Sequence, residues 1–433
     1  MNRLADVETE YEKIIALIKR EVVPAVGCTE PVIVAVCAAL AAETLGRCPE
    51  SVAVRLSANM LKNAMGVGIP HTGMTGLPIA VSLGIVAGRS ADGLEIFKRM
   101  TDDDVERGKR FLERTPPEIG LKEGIEDKLY VEVEVSAGGD TVRVVQRGSH
   151  TSRPSVERNG ETVGAGDMAA DECRCDEYPE LTLRKVYDFA MTVPLQDIEF
   201  ISEAERLNMA AAEVSFEGNY GHGLGRILRN DNEIRIMGDT LFSRILAYTS
   251  GACDARMSGA TVPVMSNSGS GNQGIAATVP VVVYGRECGA SHEQMVRALV
   301  LSHLTVIYIK QSLGCLSALC GCVVAATGSS CGITYLMGGG YEEVTFAVKN
   351  MVANLTGMIC DGAKPSCSLK VTSGVSTSVL SAMLAMEHRC TTSVEGIVDD
   401  DADKCIRNLT AIGREGMNET DKMILNIMTT KCK

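Results

Sequence analysis

Tryptophan is absent from this chain, and 7 phenylalanines and 10 tyrosines bring aromatic content to only 4% of 433 residues. A sheet-rich core draws on aromatic and β-branched side chains, so it is not the expectation. Instead, 43 glycines and abundant alanine point to closely packed helices joined by tight turns. Basic residues are also in deficit, 42 against 55 acidic, for a net charge of −13. No basic stripe stands out, which argues against a nucleic-acid partner. Long apolar runs are missing too. The most apolar stretch, 298–327, is broken by His303, Lys310 and Gln311 and dotted with glycine, so it reads as buried helices rather than a membrane span. Met1–Arg20 is charged and amphipathic, without the apolar centre or cleavage site of a signal peptide. With 45% hydrophobic and 22% charged residues, the expectation is a cytoplasmic globular protein of two or three domains.

Several motifs are absent where they would have been informative. Sixteen cysteines include no C-x-x-C pair, which excludes a zinc knuckle or a ferredoxin-like run by spacing. In a reducing compartment most of them are expected to pack as small hydrophobes. Ligation by cysteines on separate elements stays open, because Cys315, Cys320, Cys322 and Cys331 crowd one glycine-punctuated stretch and Cys360 and Cys367 follow. Ser268–Gly274 contains a literal G-x-G-x-x-G, but Pro263 interrupts the run before it and Pro280 leaves room for barely two helical turns. A dinucleotide fingerprint needs an uninterrupted strand and helix there. The same loop is similar to the phosphate turn of pyridoxal-phosphate enzymes, yet no lysine lies between Lys185 and Lys310 to form the Schiff base.

Along the chain, the apolar pattern over Val7–Val23 predicts a helix that Pro24 ends. After Gly27-Cys28, Thr29-Glu30-Pro31 predicts a helix start over an apolar run to Leu45, placing Cys28 just ahead of a helix N-terminus where partial positive charge favours thiolate. Ser51–Ser57 alternates like a strand. Leu129–Val135 and Thr141–Gln146 read as a hairpin turned at Gly138-Gly139-Asp140. From Leu183 to Ile427 the pattern is mainly helical. The fold class expected is predominantly helical α+β: a helical catalytic domain built from both chain ends (1–93 and 183–433), with a small α/β unit at 94–182 inserted between them. Alanine- and glycine-rich helices further suggest a homodimer.

Six blocks together carry a resemblance: Val26–Pro31 (VGCTEP), Asn59–Asn63 (NMLKN), Ile69–Gly73 (IPHTG), Ser266–Gly274, Leu316–Cys322 (LSALCGC) and Met358–Lys364 (MICDGAK). From about residue 10 to 425 the chain resembles the L-cysteine desulfidase family, within the serine dehydratase alpha-chain superfamily. The resemblance implies a pyridoxal-independent [4Fe–4S] enzyme that splits L-cysteine into pyruvate, ammonia and hydrogen sulfide. It implies Cys28, Cys320 and Cys360 as the cluster ligands, with Cys322, two residues from Cys320, as the competing assignment. Asn267, Ser268, Ser270, Asn272 and Gln273 are the candidates for binding the amino-acid substrate, and Lys62, His71 and Lys364 for bases or charge partners in catalysis. L-Serine dehydration by the same cluster is the alternative, and a non-catalytic cysteine-sensing iron–sulfur protein a more distant one. Some serine dehydratases of the superfamily fold a C-terminal cysteine onto the free iron. Cys432 is the corresponding tail residue here, and an accidental tail cysteine is its plainer reading.

Overall fold

The computed structural model describes residues 2–125, 127–148, 152–164, 166, 179–230, 236–314 and 317–431. Cys173, Cys175, Cys315 and Cys432 fall outside the described residues. Among the described residues there are 17 helices and small sheets, a predominantly helical α+β fold.

The chain begins in the helical body. Helix Asn2–Glu21 buries Ile14, Leu17 and Ile18 and packs on helix His292–Leu313. A two-residue strand, Pro24–Ala25, then pairs antiparallel with Val264–Met265. Helix Thr29–Leu45 carries the chain out into an α/β layer. Its run of Val, Ile, Ala and Cys has no polar face because both sides are covered. One side meets a six-stranded sheet through Val52, Val54, Leu56, Val131, Val133, Val135, Val142 and Val144. The other meets helix Leu77–Ala87, where Gly84 lets the backbones touch: a Cβ there would stand 2.3 Å from the Ala35 carbonyl oxygen.

The strand order across the sheet is Glu118–Leu121, Ser51–Leu56, Tyr130–Ala137, Asp140–Arg147, Ser155–Arg158 and Glu161–Gly164. Only the first pair is parallel. The expected hairpin turns at Gly138 (φ 59°) and Gly139 (φ 88°), the left-handed pair that a two-residue turn requires. Because Ser51–Leu56 pairs with Glu118–Leu121 on one side and Tyr130–Ala137 on the other, the sheet draws on chain ahead of residue 94. The sheet therefore joins Ser51–Leu56 to strands that lie between residues 118 and 164.

The chain rejoins the helical body at helix Leu183–Thr192. At its centre lies Gly321–Leu336, packed against His292–Leu313, Gly271–Glu287 and Cys367–Met386. Gly328 and Gly332 bring it against carbonyls of the 292–313 helix; Cβ atoms there would fall 2.4 Å from Ser302 O and 2.9 Å from Ala298 O. Cys367–Met386 is long and apolar enough to cross a membrane by length and composition, but half of its apolar window is buried within the protein. Gly271–Glu287 continues through Pro280, contrary to the short helix expected. Burial of nearly the whole helix holds it: the proline removes the donor to Ala276 O, and Ser302 Oγ donates to the neighbouring Ala277 carbonyl at 2.7 Å. The strand immediately before it, Val264–Met265, lies outside the six-stranded sheet, so the dinucleotide fingerprint lacks its parallel strand.

Candidate functional site

Two of the cysteines named above occupy the same kind of position. Cys28 is the N-cap of helix Thr29–Leu45 and Cys320 the N-cap of helix Gly321–Leu336; both are extended, and neither side chain caps its helix. The first-turn N–H groups behind each sulfur lack intrahelical partners, and the helix dipole adds positive potential. Cys320 is tied to the third cysteine by a short antiparallel bridge. Cys320 N–H donates to Met358 O at 2.9 Å, and Cys360 N–H to Ala318 O at 2.6 Å.

Cys28 reaches this region through Arg256, at the end of helix Leu241–Met257. Its Nη2 donates to the Gly27 carbonyl at 3.1 Å and its Nη1 to Asn272 Oδ1 at 3.1 Å. The next residue, Gln273, packs its side chain on Gly321, immediately after Cys320; a Cβ at 321 would lie 2.9 Å from Gln273 Cδ. A fourth helix, Cys367–Met386, starts in the same neighbourhood, since Cys320, Cys360 and Cys367 influence one another electrostatically.

Burial and charge tune these thiols differently. The Cys320 thiol is pulled down to about 7, first by a hydrogen bond from the Cys322 side chain, with help from the Cys322 N–H and Lys370 against the cost of burial. Cys322 is pushed well above the usual thiol range, first by that same bond and then by burial. Its S–H also lies 3.1 Å from Lys370 O. Cys322 otherwise faces Gly374 of the 367–386 helix, where a Cβ would be 2.8 Å from its Sγ. Burial raises Cys360, as does Cys320, while Lys62, the Gly362 N–H and Lys370 oppose it. Cys28 is raised by burial and then by Glu30, with Arg256 opposing. Its S–H donates to Glu30 Oε2 at 2.8 Å, and Asn63 Nδ2 holds Glu30 Oε1 at 3.2 Å.

The three expected catalytic residues part company. Lys62 is buried, influences Cys360, and is ion-paired with Asp421 of helix Asn418–Thr430. Lys364 donates to the carbonyls of Asp361 (2.9 Å) and Gly362 (3.1 Å) and pairs with the Asp361 carboxylate at 2.6 Å, which braces the loop after Cys360. His71 is exposed, at φ 66° in the turn 69–74.

The polar loop also divides. Asn267 is buried and spends its amide internally, Nδ2 on His303 Nδ1 (3.0 Å) and on His303 O (3.1 Å). Ser268 Oγ donates to Asn267 Oδ1 at 2.8 Å, and Ser270 N-caps helix Gly271–Glu287 by accepting from Gln273 N–H. Asn272 holds Arg256. Gln273 is buried with its Oε1 lacking a partner. Arg256 itself escaped the sequence reading, because a basic residue in the last turn of a helix is ordinary.

The donor set suits a cluster better than a single ion. Among the described residues no three cysteine sulfurs close to within 4.8 Å of one another, whereas a tetrahedral zinc draws its ligands together. Three soft sulfur donors, two of them at helix N-termini and each near Arg256, Lys62 or Lys370, are the ligand type that iron–sulfur clusters take. Glu342, Glu343 and His388 do bring ligand atoms within 4.8 Å of one another. That group is mostly exposed, and Glu343 caps its own helix by accepting from Gly340 N–H at 2.7 Å.

Residues 91–426 match the protein family described as "Serine dehydratase alpha chain", a stretch that includes Cys320 and Cys360 but begins after Cys28. A UPF0597 protein of Bacteroides fragilis is 63% identical over 424 residues, covering 98% of this chain and 99% of the relative. One from Bacteroides thetaiotaomicron is 62% identical over 425 residues, with the same coverage. One from Oleidesulfovibrio alaskensis is 45% identical over 423 residues, again 98% and 99%.

Proposed function

Because the chain belongs to the serine dehydratase alpha-chain family, a family of lyase type acting on small amino acids, we propose that it eliminates sulfide from L-cysteine. The products are pyruvate, ammonia and hydrogen sulfide, with a [4Fe–4S] cluster on Cys28, Cys320 and Cys360. The observation that carries this reading is the placing of Cys28 and Cys320 as helix N-caps, with Cys360 bridged to Cys320. The family usually binds an iron–sulfur cluster. Held by three cysteines, such a cluster supplies an iron with an open position, a Lewis acid for the departing sulfur.

The chain's own residues supply the rest. Helix N-termini and the Lys62 and Lys370 cations offset the negative charge of the thiolates in a buried place. Lys62, next to Cys360, acts as charge partner, and Lys364 and Lys370 hold the 359–364 loop through Asp361. The first turn after Ser270 offers N–H donors to a substrate carboxylate. Loss of the α-proton and of HS⁻ leaves aminoacrylate, which tautomerises to an imine; water then gives pyruvate and ammonia, so all atoms of L-cysteine plus one water are accounted for.

The test is anaerobic purification followed by iron and labile-sulfide analysis and assay with L-cysteine. Wild type should carry about four irons per chain, the number in the cube, and release sulfide and pyruvate in equal amounts. Cys28→Ala, Cys320→Ala and Cys360→Ala should each lose the intact cluster, and Cys322→Ala should keep it. The family description favours one second reading, L-serine as substrate. Pyruvate from L-serine, with no sulfide from L-cysteine, would establish that reading in place of ours.

A further inference from the structure

Arg256 is only 3% exposed, yet no carboxylate pairs with it among the described residues. Its two Nη atoms go to neutral acceptors, Asn272 Oδ1 and the Gly27 carbonyl, and its Nε is buried without a partner. Asp254, two residues back on the same helix, turns its carboxylate to the backbone N–H groups of His222 (3.3 Å) and Leu224 (2.9 Å). A guanidinium keeps its charge in any protein environment, and burying one without a counter-ion is costly.

Its position sharpens the point. A Cβ on Gly271 would stand 2.2 Å from Arg256 Nε and 2.9 Å from Cδ. The guanidinium therefore rests on the first residue of a 17-residue helix, at the positive end of its dipole. A cation laid on that end is repelled unless an anion sits with both. The same first turn presents Gln273, 6% exposed, with its Oε1 unpartnered and its side chain on Gly321 beside Cys320. Two unpartnered side-chain atoms, each on a residue more than nine-tenths buried, thus meet at one helix N-terminus next to an expected ligand.

We infer that Arg256 and the first-turn N–H groups of Gly271 and Asn272 form the seat of the substrate's α-carboxylate, with Gln273 Oε1, an acceptor, facing its α-ammonium. This deepens the elimination reading above and rests on it. The seat makes Arg256 a specificity residue: the corresponding amine without a carboxylate leaves the guanidinium and the helix end uncompensated and is refused.

The probes are L-alanine, which keeps the amino and carboxylate groups but has no leaving group, and ethylamine, which lacks the carboxylate. Binding to anaerobically purified, iron-loaded protein is followed by titration calorimetry. Wild type should prefer L-alanine by about 100-fold or more, as expected for a charge-assisted bidentate contact in a buried place. Arg256→Gln should lose most of that preference while keeping its iron content and melting temperature, and Arg256→Lys, which keeps the charge but not the fork, should fall between. Equal L-alanine affinity in wild type and Arg256→Gln would overturn the seat. So would loss of iron from Arg256→Gln, since the charge would then serve the thiolates. If Arg256→Gln does not fold, the wild-type ratio decides alone, and a ratio near one overturns the seat. Turnover of L-cysteine by wild type is measured separately; its absence sinks the reaction, while the alanine-to-ethylamine ratio still judges the seat.

Discussion

The loop that carries Ser270 and Gln273 is held in place by one buried imidazole, His303. Asn267 Nδ2 donates to His303 Nδ1 at 3.0 Å, so that nitrogen must be the acceptor. His303 Nε2–H is then free to donate to Thr278 Oγ1 at 2.9 Å, whose own proton goes to Gly274 O at 2.7 Å. A second proton on His303 would set N–H against the Asn267 amide. Burial accordingly lowers this histidine from 6.5 to about 3. The unfolded chain takes up a proton near pH 6.5 and the folded one does not, so stability is full above that pH and is lost as pH falls toward about 3. The slope is about 1.4 kcal/mol per pH unit. Melting temperature should fall between pH 6.5 and 4.5 in wild type and fall less steeply in His303→Gln; parallel slopes would mean that His303 is protonated in the fold. This residue illustrates what the sequence hides. Its Ser-His-Leu setting in an apolar run showed only that it is buried, while His71, in a conspicuous Ile-Pro-His-Thr-Gly block, proves to be exposed. Arg256 was hidden more completely, because its meaning depends on Gly27, Gly271 and Asn272, which no spacing rule connects to it.

Helix starts were far easier to read than the contacts between elements. Thr29-Glu30-Pro31 announced a helix with Cys28 at its head, and that is its place. The alternation over Ser51–Leu56 announced a strand, but nothing local revealed that its partners come from residues 118–121 and 130–137. Pro280 misled for a related reason: propensity is a local quantity, and tertiary burial overrode it. Glycines mark where elements touch, which gives a test at this scale. Gly274 lies where helix Gly271–Glu287 crosses strand Val264–Met265, and a Cβ would meet Met265 O at 1.9 Å, a backbone atom that cannot step aside. Gly274→Ala should therefore separate helix from strand and destabilise by about 3 kcal/mol or more, as overpacking at a rigid contact does. Gly357 has open space around it and needs no left-handed backbone, so Gly357→Ala should be neutral or stabilising by about 0.5 kcal/mol. Denaturant midpoints of the two variants decide it; a mild Gly274→Ala would show that the crossing can loosen.

At the scale of the whole molecule, the chain makes a helical body, leaves it at Thr29 for the α/β layer, and returns at Leu183. The layer is then fastened back by the other end of the chain. Helix Asn418–Thr430 packs on helix Ala58–Ala64, where Asp421 meets Lys62 across 359 positions of sequence. Neither residue has a local reason to pair, and helical periodicity in the last segment gives no hint of its partner. Lys62 is 2% exposed but Asp421 is 20% exposed at the side chain, so water reaches only the carboxylate. The two single variants should consequently differ. Asp421→Asn strands a buried ammonium and should cost about 2–3 kcal/mol, below the full value for breaking a buried pair because its partner is partly solvated. Lys62→Met leaves a carboxylate that water can take up and fills the site with apolar volume, so it should cost less. Combining them should restore most of the loss, with a coupling of about 1–2 kcal/mol in a double-mutant cycle read by denaturant unfolding. Iron content separates the two roles of Lys62. If its charge serves only Asp421, the double variant keeps the iron of wild type; if it also offsets Cys360, both Lys62→Met and the double variant lose iron while Asp421→Asn retains it. The second pattern is the one expected, because Lys62 acts on Cys360 as well as on Asp421, and it would make the closing helix a fastening for the site as much as for the fold.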